Sequence, residues 1–178
     1  MEEKKKYKPT GFAKKVIFKD VTVDIVMSAA LMVDRYASVH AMVLSGKFKV
    51  AVRFRSQISS ELEPYRDCFG GYWSEQVKED GQIFYWLNLQ QRRFFKFMEL
   101  VLPYLVVKKE HVEAIFAYRD MVKENRNRRL TPEVLEARKK QMNTISYWRR
   151  ESWRRGVKLG FRDKNEYSGS KTESEGLL

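Results

Sequence analysis

The sequence predicts an α+β domain with an antiparallel sheet made of two hairpins, and three observations predict it. In "KFKVAVRFRSQ", Phe48, Val50, Val52 and Phe54 alternate with Lys49, Ala51, Arg53, Arg55 and Gln57, the period of a half-buried strand. Two pairs of strand-like runs are each joined by a short polar turn, "SGK" in the first and "KEDGQ" in the second. Amphipathic segments with helical spacing precede, separate and follow the pairs, giving an order α-β-β-α-β-β-α-α.

Each element has its own justification. Residues 1–19 form a basic arm punctuated by Pro9 and Gly11. From about Asp20, Val23, Val26, Met27, Ala30 and Val33 recur at helical spacing and predict one buried stripe. "SVHAMVL" and "KFKVAVRFRSQ" make the first hairpin. A helix over roughly 61–68 stops at Gly70-Gly71, a permissive terminus. "YWSEQV" and "IFYWLNL" make the second hairpin, and "QRRFFKFMELVLPYL" a helix closed by Pro103. "KKEHVEAIFAYRDMVKEN" is helical, with Val112, Ile115, Phe116 and Tyr118 or Met121 as its apolar stripe. After the charged joint "RNRR", Thr131 suits an N-cap, Pro132 the first helical position and Glu133 the first turn. The domain organisation expected is therefore a basic arm over 1–19, an α+β domain over 20–125, a basic helical extension over 126–158 and a flexible tail over 159–178. The loss of helical pattern begins at Gly156.

Charge narrows the partners. Thirty-five Lys and Arg against 23 Asp and Glu leave +12, which favours a polyanion, nucleic acid before an anionic membrane surface. Cys68 is the single cysteine, so an intrachain disulfide and a Cys-based zinc cluster are excluded. No run approaches eighteen apolar residues, and "MEEKKKYKPTG" has no apolar signal core. The expectation is no membrane contact, and work in the cytoplasm or organelle matrix where the chain is made.

The polar side of residues 48–57 carries the functional signal. A wet sheet face usually mixes charge signs, whereas Lys49, Arg53, Arg55 and Gln57 include no acid. Arg and Gln can bridge base edges in a major groove. Ser74, Gln76 and Lys78 of the second hairpin are further candidates. Trp73, Tyr85 and Trp86 read as cross-strand packing, and Met27, Met32 and Met42 as core filler. His40 and His111 lack the spacing of a metal motif and read as surface or packing residues. "YWRRESWRRGVK" repeats a Trp-Arg-Arg unit with a six-residue step, and its Arg149, Arg150, Arg154 and Arg155 are candidates to hold a nucleic-acid backbone.

Several stretches, in matching order over roughly residues 22–124, resemble the LAGLIDADG homing endonuclease family. "SAALMVDRYASV" is similar to the namesake helix and the strand start after it, and "KFKVAVRFRSQ" to the long second strand that ends in glutamine. "FGG" at 69–71, "FYWLNL" at 84–89 and "LPYLVVKKEHVEAIFAY" are similar to the later landmarks. The resemblance implies an αββαββα saddle whose curved sheet lies across the major groove of double-stranded DNA. Because one motif is present, it also implies a homodimer paired through the motif helix 22–36. It implies Mg2+-dependent phosphodiester cleavage, with an acid at the foot of each motif helix. Here the sequence departs. Tyr36 falls on that acid, and a phenol with a pKa of about 10 stays neutral and is a poor ligand for a hard cation. Asp34 falls on the first, mainly structural aspartate; only a shifted alignment makes Asp34 the metal ligand. Gln57 matches a polar residue that positions water or metal. Lys108 or Lys109 matches a lysine near the scissile phosphate, with Lys109 preferred. Mg2+ is the cofactor if cleavage survives, and none is needed otherwise. Three functions follow: a site-specific DNA binder with a degenerate centre, an active homing endonuclease, or an intron RNA-splicing factor or ribonucleoprotein subunit that recognises structured RNA.

Overall fold

The computed structural model describes residues 16–125 and 131–161. Most of the basic arm, the "RNRR" joint and residues 162–178 of the expected tail lie outside the described residues. The elements run α1 (Val23–Arg35), β1 (Ser38–Leu44), β2 (Lys47–Ser56), α2 (Glu63–Phe69), β3 (Tyr72–Val77), β4 (Ile83–Gln90), α3 (Gln91–Val101), α4 (Lys109–Glu124) and α5 (Pro132–Lys158). The strands form one antiparallel sheet in the order β1-β2-β4-β3, so the α+β class and the αββαββα order are both present.

Local chemistry sets the boundaries. Thr22 caps α1 by accepting from the Ile25 amide at 3.3 Å, and Thr131 caps α5 by accepting from Val134 at 3.4 Å. The first hairpin turns at Ser45 and Gly46, both with positive φ (50° and 71°), the backbone of a tight two-residue turn. Gly71, at φ 126°, lies against β4: a Cβ there would meet Leu89 Cδ2 at 2.5 Å and the Asn88 carbonyl at 3.0 Å. Its missing side chain lets α2 hand over directly to β3.

One core lies between the inner sheet face and the helices. Val39, Val50, Val52, Phe54, Leu87 and Leu89 pack against residues that include Phe69, Phe94, Phe97, Met98 and Ile115. Phe97 sits edge-on to Phe69 and Phe54, with ring centroids 4.9 and 5.8 Å away. α4 joins this layer through Tyr118, whose ring is 4.4 Å from Phe48 on the inner face of β2. α5 packs along α4 in the antiparallel sense: Gln141 donates to the Ala114 carbonyl at 3.1 Å, while Arg155, further along, bonds Glu110 at the start of α4.

Three expectations need correction. The buried face of α1 is Val26, Ala29, Ala30, Val33 and Asp34, while Val23 and Met27 are 62% and 51% exposed. Because α1 is apolar on most sides, period alone could not choose its inner face; small alanines face the closely packed side. On α4, Phe116 and Met121 are only partly buried, and His111 and Ala114 complete the stripe. Gly156 does not end α5. It is buried within the helix, which runs to Lys158 and closes with the Phe161 amide on the Gly156 carbonyl at 2.8 Å. The low helix propensity of glycine is outweighed by tertiary packing there.

Candidate nucleic-acid interface

Strand register turns the alternation of β2 into a two-dimensional surface. Arg53 pairs with Ser38 on β1 and Asn88 on β4, and Asn88 with Tyr72 on β3, so these four side chains form one row across the outer face. The next row holds Arg55, Trp86 and Ser74, and beyond it lie Phe84 and Gln76. In the other direction His40, Ala51 and Gln90 align, followed by Met42 and Lys49. The register therefore brings Lys49, Arg53, Arg55, Ser74 and Gln76 together on one face. No carboxylate shares it, because Glu75, the one acid in a strand, points the other way from Ser74 and Gln76.

Aromatic rings anchor these cations without neutralising them. The Arg53 guanidinium lies 5.5 Å from the Trp86 ring centre, and Arg55 lies 5.7 Å from Trp86 and 4.9 Å from Phe84. Lys78 places its ammonium 4.6 Å from Phe84. No ion pair among the described residues involves Lys49, Arg53, Arg55 or Lys78. Trp86 thus faces outward, whereas Trp73 and Tyr85 pack on the core as the sequence suggests.

At the foot of α1 the structure reassigns two candidates. The buried Asp34 carboxylate accepts from the amides of Val106 (2.7 Å), Val107 (3.2 Å) and Lys108 (2.9 Å). It closes the segment entering α4, and a cation would have to displace those donors. Lys108 was expected on the nucleic acid; it is 6% exposed instead. Its ammonium donates to the carbonyls of Val33, Asp34 and Ala37, the last two at 3.0 Å. A cation is favoured at the C-terminus of α1, so each side chain of this pair closes the end of the other's helix. Lys109 is exposed at the first position of α4.

Beside this joint lies an open cavity of about 660 Å³ lined by Met32, Tyr36, Arg55, Ser56, Gln57, Glu61, Tyr65 and Phe84. Gln57 donates to the Gln82 side chain at 3.4 Å, and Glu61 accepts from the Ser56 hydroxyl at 2.5 Å. Tyr36 occupies the position of the expected acid and is 54% exposed. Glu61 is thus the single carboxylate on the cavity wall, and no group of three or more His, Cys, Asp or Glu able to hold a metal occurs among the described residues. With Asp34 committed to backbone amides and a phenol in place of the acid, these residues do not fit a divalent cation.

The arginines of α5 divide. Arg155 bonds both Glu110 oxygens, at 2.7 and 2.8 Å, and so joins α5 to α4 rather than facing a ligand. That bond holds the Glu110 carboxyl below its ordinary range. Arg154 pairs with Glu151. Arg149 and Arg150 are exposed and take part in no ion pair among the described residues. Nearby, His111 is 2% exposed with no partner for Nε2; burial first, then Arg149, Lys108 and His40, bring its pKa down to about 3.

Sequence reasoning missed Ser38, Tyr72, Asn88 and Gln90 on the outer face. For Asn88 and Gln90 the signal was present in β4, where Phe84, Trp86, Asn88 and Gln90 alternate with Tyr85, Leu87 and Leu89. Glu61 had no such signal, since it reaches the cavity from a turn.

No protein-family model matches the sequence, and no curated protein matches it. Solved structures do. Two are of the homing endonuclease I-CvuI, one with the I-CreI target in the presence of Mg with the DNA not cleaved, the other with its own target in the presence of Ca. Each matches with a TM-score of 0.54 at 14% identity, covering 76% of this chain and 94% of that chain. A third is the archaeal intron-encoded homing endonuclease I-Vdi141I complexed with DNA, with a TM-score of 0.51 at 12% identity, covering 70% of this chain and 84% of that chain. At such identities the likeness is one of fold, and the chain has the LAGLIDADG-like fold that its sequence landmarks imply.

Proposed function

We propose that this chain binds double-stranded DNA in a site-specific way through the outer face of its sheet, and that its cleavage centre is degenerate. The acid-free face of Lys49, Arg53, Arg55, Ser74, Gln76 and Lys78 carries this reading, supported by the DNA complexes among its structural neighbours. Lysines hold phosphates, while Arg53 and Arg55, held against Trp86 and Phe84, turn donor edges to bases. Gln57 and Lys109 stand near the foot of α1 and contact the backbone there. Two copies pair through α1, whose Val23, Met27 and Leu31 recur every fourth residue and are 62%, 51% and 50% exposed. Pairing doubles the sheet into one groove-spanning surface.

Without a donor set for Mg2+, we derive no cleavage step for the centre. The test begins with selection of bound duplexes from a random pool, followed by titration of the best site. Arg53→Gln should cost about 1–3 kcal/mol and relax selectivity at one base position. Lys49→Gln should weaken all duplexes alike and reduce the salt slope by about 0.9 per phosphate lost. Selection of no sequence would refute site-specific binding. Incubation of the chosen site with Mg2+ should leave it intact, and specific cutting would refute the degenerate centre.

A further inference from the structure

α5 carries a second basic surface that the sheet reading does not use. On its outer side Lys139, Asn143, Tyr147, Arg150, Arg154 and Lys158 follow at intervals of three or four residues, with Lys140 beside them, and all are exposed. The row rises about 28 Å at 1.5 Å per residue. Between Lys139 and Lys158 the only acid is Glu151, which Arg154 neutralises. Lys139, Lys140, Arg150 and Lys158 take part in no ion pair among the described residues. α5 packs along α4, and α4 packs by Tyr118 on the inner sheet face. The row is therefore a surface apart from the outer face.

We infer that this row binds a single-stranded nucleic acid. Its charge selects a polyphosphate. Its opposite side (Ile145, Ser152 and Gly156) is buried, so the row is the face that α5 turns to a ligand. At the middle stands Tyr147, 48% exposed and braced edge-on by Trp148 at 5.1 Å. A ring among spaced cations offers a stacking platform to an unpaired base, which a duplex keeps inside its stack. Binding tolerates sequence, because stacking and phosphate contact carry the affinity.

The experiment uses the full chain with labelled oligouridylate RNA and, separately, oligothymidylate DNA. The variant Lys139→Gln, Lys140→Gln, Arg150→Gln, Lys158→Gln should weaken the strand at least tenfold and lower the salt slope by about 3, near 0.7 per phosphate for four lost contacts. Tyr147→Ala should weaken it with the slope unchanged. Arg53→Gln with Arg55→Gln should leave strand binding intact, and the two probes show whether RNA or DNA is preferred. Equal affinity of the fourfold variant and the native chain for both probes would overturn the inference, as would equal loss in the sheet variant. The competition arm alone rests on the proposed duplex reading: a bound duplex should not displace the strand, and stoichiometric displacement also overturns it. Duplex affinity is scored separately, so the two readings fail independently.

Discussion

Acidification should destabilise this protein through His111 before its carboxylates titrate. The imidazole is 2% exposed, its Nε2 has no partner, and the cationic Lys108 and Arg149 lie near it. Its pKa falls from 6.5 to about 3, so the unfolded chain takes up the proton first and stability is lost as pH drops below 6.5. At 1.36 kcal/mol per unit, the 1.5 units between 6.5 and pH 5 correspond to about 2 kcal/mol. Glu110 and Asp120, held low by Arg155 and Arg119, lose their contributions only below their ordinary range, so a window above pH 5 isolates the histidine. Urea unfolding at pH 8 and pH 5, at constant ionic strength, measures the difference. The native chain should lose about 2 kcal/mol more than His111→Leu across that window, whatever the variant's stability at pH 8. Equal losses in the two proteins would refute the reasoning and place His111 in contact with solvent.

Further expectations come from other contacts. Asp34→Ala leaves three amides without their acceptor and should cost about 3 kcal/mol or more in urea unfolding, with Asp34→Asn losing less. Lys108→Met should also destabilise, should couple to Asp34→Ala by about 1 kcal/mol or more in a double-mutant cycle, and should leave the salt slope of duplex binding unchanged. Met27→Glu should convert a dimer into a folded monomer by sedimentation, since it charges the exposed face of α1 and leaves the core untouched. Phe97→Ala should cost about 3–5 kcal/mol in the same unfolding assay. Arg155→Ala should cost no more than about 1 kcal/mol, because its pair with Glu110 is partly exposed and screened by water.

What was legible in the sequence was whatever depends on period and local signal. β2 announces both its faces, the Ser45-Gly46 turn and the Gly70-Gly71 stop carry backbone chemistry, and Thr131 marks the start of α5. The inner face of α1 was not legible, because a helix apolar on several sides offers more than one stripe. Nor was the split among the cations. Lys108 and Lys109 are adjacent and chemically identical in sequence, yet one is buried against three carbonyls and the other is exposed. The separation comes from Asp34, 74 residues upstream, which binds the Lys108 amide and so aims that side chain at the end of α1. Arg155 is likewise withdrawn by Glu110, 45 residues away. A net charge of +12 thus overstates the surface available to a polyanion. Among the described residues, the cations on the sheet rows and on the outer side of α5 have no distant acid bound to them, and the two binding readings stand on them.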